Sequence, residues 1–412
     1  MRTLLLFLVF VPVSSFAQTA VESIFEAVEP GTVALDESKL EEIDKLMSSE
    51  IEEGRIAGCL GLVYRDGKVA YFRMWGDQDR EKKVPMSEDT IFRIYSMSKP
   101  VTSVAVMQLV EQGKVSLDDP ASKYLPPFEG LKVWTEDGEV EAGRPVSVRD
   151  LLRHTSGLTY GIFGDHKVDK MYRKAGVLSG NSIEKMVEKL GKIPLMHQPG
   201  TRWHYSVSTD VLGRLVEAAS GQQFDEYLQE NIFDPLDMAD TSFYVPEKKR
   251  DRFAQLYRPD GDGGLKPANP FTSIRFVTEA NRFYSGGGGL CSTTSDYLRF
   301  ARALLNGGEL DGKRILKKET LAEMTKNQLT GDAKRGSFQF GLGFAISPEG
   351  EFSWGGAAGT RFWVNPKRNM ITMYMIQMLP YKGNYGKRMK KIVFAADQRV
   401  AKAEDAPTAP MP

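Results

Sequence analysis

Phe92-Arg93-Ile94-Tyr95-Ser96-Met97-Ser98-Lys99-Pro100 reads as a serine nucleophile set at the mouth of a helix. Apolar residues follow at helical spacing (Val101, Val104, Ala105, Leu109, Val110), with Gly113 as a stop, and predict a buried helix. Pro100 has no amide hydrogen and is tolerated only in a first helical turn, so the helix begins close to Ser96. The hydroxyl then sits at the positive end of the helix dipole. Lys99, three positions on, shares a helix face with Ser96 and can reach it. A serine is a weak nucleophile without such a neighbour. The same tetrapeptide can equally be an N-cap followed by a solvated charge, so its meaning depends on partners elsewhere in the chain.

Two further motifs follow in order. Tyr205-Ser206-Val207 comes directly after His204 and before a helix that starts near Thr209 or Asp210; taken alone, it reads as an aromatic residue packing a loop. Ser353-Trp354-Gly355-Gly356-Ala357 lies on a late strand, where glycines admit a close backbone or ligand or else mark a bulge.

Ser96-x-x-Lys99, Tyr205-Ser206-Val207 and Trp354-Gly355-Gly356, in this order, resemble the β-lactamase and penicillin-binding-protein superfamily, whose signature includes S-x-x-K. They are more similar to the β-lactamase-like serine carboxylesterases of family VIII than to class C β-lactamases. The phrases Leu151-Leu152-Arg153-His154-Thr155-Ser156-Gly157-Leu158, Gly286-Gly287-Gly288-Gly289-Leu290 and Gly355-Gly356-Ala357-Ala358-Gly359-Thr360 add to the resemblance, which runs from about Asp36 to Val400. It implies an α+β fold in which an antiparallel sheet flanked by helices carries an inserted all-helical lobe. It also implies a serine hydrolase: Ser96 attacks an acyl carbon, Lys99 and Tyr205 move its proton, and the backbone amides of Ser96 and Ala357 hold the oxyanion. Val207, Trp354, Gly355 and Gly356 would face the substrate, a small-molecule ester, with no cofactor and no metal.

Two departures bear on substrate. Class C β-lactamases have Asn at the position of Val207 and Lys at that of Trp354. Valine cannot hydrogen-bond a substrate amide and tryptophan offers no ammonium to a carboxylate, which favours short neutral esters. The alternatives are a β-lactamase or D-alanyl-D-alanine carboxypeptidase, and a catalytically idle scaffold of the same fold. His154 belongs to a structural loop of the superfamily and is read as structural. His166, His197 and His204 have no ligand spacing and there is no His-Glu-x-x-His, which argues against a metal site. No Gly-x-Ser-x-Gly elbow occurs, which argues against an α/β-hydrolase.

With 412 residues, 41% of them apolar, the chain can bury a substantial core. Lys plus Arg and Asp plus Glu number 54 each, so no global field draws it to nucleic acid or an acidic membrane. Arg2, the apolar run Leu4 to Val11 and Ser15-Phe16-Ala17 predict a secretory leader and an exported, periplasmic or secreted protein. That run is too short to span a bilayer, so no stable membrane insertion is expected. Export permits a disulfide between Cys59 and Cys291, and buried free thiols are the other reading.

Along the chain, a helix is predicted from Asp36 or Ser38 to Glu53, with Ser38 and Glu41 as a capping box. Runs Cys59 to Tyr64 and Val69 to Trp75 flank Asp66-Gly67, a strong hairpin signal. Val148 to Met238 is mostly helical in period, and Tyr244 to Tyr284 suits long surface loops. Gly286 to Gly289 reads as a tight turn before a helix from Tyr297 to Leu305. Strands are predicted at Phe340 to Ile346, Glu351 to Trp354, Thr360 to Val364 and Met370 to Met378, then a helix from Lys387 to Val400. This divides the chain into a leader (1–17), a lead-in (18–35), a discontinuous α/β lobe (36–125 and 286–400), a mainly helical inserted lobe with loops (126–285) and a flexible tail (401–412).

Overall fold

Asp66 (φ 52°) and Gly67 (φ 85°) both adopt the left-handed backbone that a two-residue hairpin turn requires. They join β1 (Gly58–Arg65) to β2 (Lys68–Asp79), as the Asp-Gly signal predicts. Every residue of β1 is buried, and its side chains alternate between two cores. Leu60, Leu62 and Tyr64 enter the larger one, Cys59 and Val63 the smaller. A strand buried on both faces belongs in the middle of a sheet.

The rest of the sheet comes from the chain's other end. After β3 (Val84–Pro85), its strands are β4 (Gln339–Phe340), β5 (Ala345–Ile346), β6 (Phe352–Gly355), β7 (Arg361–Asn365) and β8 (Met370–Ile376), in spatial order β4-β5-β6-β7-β8-β1-β2-β3. All neighbours run antiparallel, and β8 lies against β1 with Leu60 opposite Met375. The computed structural model describes residues 25, 27–179, 182–268 and 283–399. The leader expected at 1–17, part of the lead-in, residues 269–282 of the expected loops and the tail expected at 401–412 lie outside the described residues.

Helices cover both faces. On one, α1 (Glu37–Glu52) contributes Leu40, Ile43 and Met47 to the smaller core. On the other, α2 (Ser98–Glu111) is buried along most of its length and joins α3 (Ser208–Ser220) and α4 (Thr294–Leu305) in the larger core. A closing helix, α5 (Tyr385–Ala395), packs Met389 and Val393 beside α1. Between α2 and α4 lies a region rich in short helices, Val148–Leu152, Lys167–Ala175 and Ile183–Leu190 among them. It also holds a small hairpin, Lys132–Thr135 with Gly138–Glu141.

Several elements differ from their predicted form. The run from Phe340 to Ile346 is two short strands, because a tight turn closes between them through Gly341 N–H donating to Phe344 O at 2.8 Å. Ser38 and Glu41 form no capping box; Asp36 is the N-cap, accepting from Lys39 N at 3.3 Å and from the Ser38 hydroxyl at 2.7 Å. Helix α5 ends at Ala395 rather than Val400, since buried Asp397 turns inward to Arg65, 2.8 Å away, and to Arg368. The stretch after Tyr244 is not all surface loop: Tyr257–Pro259 pairs with Leu265–Pro267, and buried Tyr257 donates its amide to Gln377 O at 2.9 Å, beside the end of β8.

Candidate active site

Ser96 lies in a 3-10 turn, Tyr95–Met97, that runs directly into α2, with Pro100 in the first helical turn. Tyr95 has φ 45°, a left-handed conformation that costs a non-glycine residue about 1–3 kcal/mol and persists only where the surroundings enforce it. The enforcement is visible. Ser98 Oγ donates to Tyr95 O at 2.7 Å and accepts from Leu290 N at 3.1 Å, while Tyr297 OH donates to Met97 O at 2.9 Å. Upstream, Phe92–Arg93 pairs with Cys291–Ser292. The elbow is thus held by strands and turns from both ends of the chain.

Lys99 is buried and its Nζ makes three contacts: Ser96 Oγ at 3.3 Å, Tyr160 OH at 2.8 Å and Gly287 O at 2.6 Å. Three acceptors match the three hydrogens of an ammonium. Tyr205, on the loop entering α3, donates its hydroxyl to Ser96 Oγ at 2.7 Å, and Lys99 Nζ stands 4.7 Å from its ring centroid. The structure therefore gathers Ser96, Lys99 and Tyr205 from distant parts of the chain into one cluster.

Tyr160 and Asp210 belong to this cluster and sequence reasoning missed both. Burial, reinforced by Tyr205 and Asp210, raises the Tyr160 phenol well above its ordinary pKa, so it stays protonated and serves Lys99 as an acceptor. Asp210 is buried on α3, and burial lifts its carboxyl above the usual range against the opposing pull of Lys99. It accepts from Ser285 Oγ and from Gly287 N, the latter at 3.1 Å. The Gly286–Gly289 segment is the tight turn expected: Gly289 N donates to Ser285 O at 2.8 Å, Gly286 O accepts from Thr102 and Gly287 O accepts from Lys99. It straps α2 to α3.

The β6 motif reaches the elbow from the sheet. Gly356 N donates to Thr360 O at 2.7 Å, and a Cβ at Gly356 would lie 2.4 Å from Ile94 O. Ala357 follows at the exposed tip and shares a cavity wall with Ser96. Trp354 packs its ring behind Tyr205 and against Phe340, with centroids 5.6 and 5.3 Å apart. Gly355 ends β6, opposite Arg361. Val207 differs from its expected place on the substrate face. It is fully buried as the N-cap of α3, because the chain turns inward there to join the larger core.

His154 is buried behind Tyr205, ring centroids 5.0 Å apart, with Nδ1 3.3 Å from Ser206 Oγ. Burial first, then the Lys99 charge, hold it well below its ordinary pKa, so it is neutral. Cys59 and Cys291 are both buried and free, and burial pushes each thiol up to about 12. Among the described residues, no cluster of three or more His, Cys, Asp or Glu side chains is placed to hold a metal ion, and no helix is long and apolar enough to cross a membrane.

Two cavities meet at Tyr205. One, of about 390 Å³, has Ser96 and Ala357 on its wall and is otherwise lined largely by apolar side chains such as Ile162, Leu178, Phe243 and Leu379. The other, of about 900 Å³, shares Tyr205 and Phe163 with the first but touches neither Ser96 nor Ala357.

This geometry has counterparts. An uncharacterised protein of Mycobacterium tuberculosis is 34% identical over 356 residues, covering 80% of this chain and 88% of its own. Esterase EstB of Burkholderia gladioli is 29% identical over 393 residues, covering 87% and 96%. The solved structure of EstCE1, described as a hydrolase with promiscuous acyltransferase activity, superposes with a TM-score of 0.76 at 27% identity over 87% of this chain and 99% of that one. Simvastatin synthase of Aspergillus terreus, unliganded, shares the fold with a TM-score of 0.74 at 23% identity over 89% of this chain and 99% of that one. The elbow, the Tyr205 loop and the β6 motif all fall within residues 43–394, the span matched by the Beta-lactamase family model, and the chain belongs to that family.

Proposed function

We propose that this protein is a serine hydrolase that cleaves short-chain carboxylic esters through an acyl-enzyme. The observation that carries this reading is the Ser96 hydroxyl, flanked by Tyr205 at 2.7 Å and Lys99 at 3.3 Å. The names of EstB, of a lovastatin esterase from Penicillium rubens and of EstCE1 agree with ester chemistry.

In the proposed sequence the working form of Tyr205, the group nearer Ser96, is the phenolate, stabilised by the Lys99 ammonium beside its ring. Ser96 Oγ bonds to the acyl carbon as its proton passes to that phenolate oxygen, and the amides of Ser96 and Ala357 hold the oxyanion. Collapse breaks the bond to the alcohol oxygen, which takes the proton back from Tyr205. Water then repeats the cycle on the acyl-enzyme, releasing the acid and restoring Ser96. The acyl chain occupies the largely apolar cavity of about 390 Å³ that has Ser96 on its wall. The leader read at 1–17 would place this activity outside the cytoplasm.

The test is covalent. A fluorophosphonate probe should add to the peptide that contains Ser96, located by peptide mass spectrometry on an active preparation. A label on Ser98 or Ser206, or none at all, would overturn the assignment.

A further inference from the structure

An ester has two halves, and Tyr205 separates two unlike cavities. The apolar one contains the nucleophile and Ala357, so it receives the acyl half. The 900 Å³ cavity shares Tyr205 with the first but lacks Ser96, and with the acyl half in the first cavity it is the space beyond Tyr205 left to the other half. That is the leaving group's side. Its threshold is Phe163, 73% exposed and stacked on Tyr205 with centroids 6.4 Å apart.

The wall of this second cavity is cationic. It bears Arg202, Lys334 and Arg335 against a single carboxylate, Asp332. Among the described residues none of the three cations forms an ion pair, in a protein where most arginines near the surface do. Arg335 instead rests over the Trp203 ring, 5.6 Å from its centroid, and Trp203 stacks on Tyr205 at 6.2 Å. His197 and His204 also line it. Burial lowers both, aided by Arg202 and, at His204, against the pull of Asp169; His197 falls to about 4, so they are neutral near pH 7 and do not add to the charge. Unpaired cations around a concave site raise the local concentration of anions.

We propose that this cavity is a leaving-group subsite for an anion, so that the preferred esters join a small neutral acyl group to an alcohol carrying a carboxylate, sulfonate or phosphoryl group, held by Arg202, Lys334 and Arg335. The proposal rests on the acyl-enzyme reading and adds the chemistry of the alcohol. It is compatible with the loss of an ammonium at Trp354, because the charge is met beyond Tyr205 rather than beside the scissile bond.

The test uses butyrate esters of 5-hydroxy-2-nitrobenzoic acid and of its carboxamide, which differ in charge but little in shape. Sulfonate and phosphonate analogues of the acid form two further arms. The expected ratio of kcat/KM, anionic over neutral, is about tenfold at low salt, the scale of two or three exposed ion pairs. It should fall toward one in Lys334→Ala and in Arg202→Ala, and the arm with the highest ratio identifies the anion. Because the readout is a ratio, it survives a general loss of activity in a variant. A ratio at or below one in the unaltered enzyme overturns the proposal, as does a ratio that the variants leave unchanged. Labelling of Ser96 in the same preparation separates this failure from failure of the acyl-enzyme reading.

Discussion

At the scale of the residue, the chemistry turns on how two tyrosines near one lysine divide their roles. Tyr205 touches Ser96 Oγ at 2.7 Å, whereas Tyr160 touches Lys99 at 2.8 Å and not Ser96. Under the proposed mechanism Tyr205→Phe removes the group that moves the proton, and should lower kcat/KM for p-nitrophenyl butyrate by at least about 10²-fold. Tyr160→Phe removes an acceptor from a buried amine, which costs on the order of 1–3 kcal/mol, but the proton path remains. Its loss should be nearer tenfold. A folded Tyr205→Phe enzyme with unchanged kcat, or one less impaired than Tyr160→Phe, would remove Tyr205 from the mechanism. Only one of these tyrosines was legible. Tyr205 stands in a motif, while Tyr160 lies in an irregular loop two residues beyond the Leu151–Leu158 phrase that carried the resemblance, and its role depends on where Lys99 points. Val207 shows the converse: the motif fixes its neighbour Tyr205, but burial removes its own side chain from the substrate.

At the scale of the element, local turn chemistry was readable and contact-dependent breaks were not. Asp66-Gly67 announces its hairpin because two residues suffice to specify it. The turn within Phe340 to Ile346 follows instead from α2 and the Lys318–Met324 helix crowding its glycines: a Cβ at Gly341 would lie 2.1 Å from Met324 O and one at Gly343 2.3 Å from Ser103 Oγ. No periodicity reports that. The same reasoning gives a prediction for the β6 motif. A methyl at Gly356 would meet Ile94 O at 2.4 Å and Thr360 Oγ1 at 2.3 Å, whereas one at Gly355 meets nothing closer than 3.2 Å. Gly356→Ala must therefore push the Ala357 tip away from the nucleophile elbow. A displacement near 1 Å can cost about 10²-fold in rate, so kcat should fall by one to two orders of magnitude with the fold kept. Gly355→Ala should be far milder. Circular dichroism and p-nitrophenyl butyrate kinetics on both variants decide it, and equal activities would mean that the tip does not position the oxyanion site.

At the scale of the molecule, the site exists because one sheet is completed from both ends of the chain and a helical region closes over it. Ser96, Ala357 and Trp354 come from the sheet side, Tyr160 and Tyr205 from the helical side, so substrate choice is set by what both walls offer together. A cephalosporin needs its side-chain amide oriented and its carboxylate, rigidly fixed next to the scissile bond, met by a cation. On the helical side the position that would orient the amide is Val207, apolar and fully buried. On the sheet side the position that would meet the carboxylate is Trp354, whose ring is packed against Tyr205 and Phe340 and carries no ammonium. The cations of the second cavity lie on a wall that has Phe163 and Tyr205 but not Ser96, whereas a cephalosporin holds its carboxylate on the ring fused to the scissile amide. Each unmet polar group forfeits about 1–3 kcal/mol, or roughly a factor of ten or more. A short acyl ester makes neither demand and brings a better leaving group. For p-nitrophenyl acetate or butyrate, kcat/KM should therefore exceed that for a chromogenic cephalosporin by at least about 10²-fold, measured on one enzyme preparation at one pH. Cephalosporin turnover at the ester rate would show that the walls meet both groups in a way these positions do not reveal, and would favour a penicillin-recognising enzyme over an esterase.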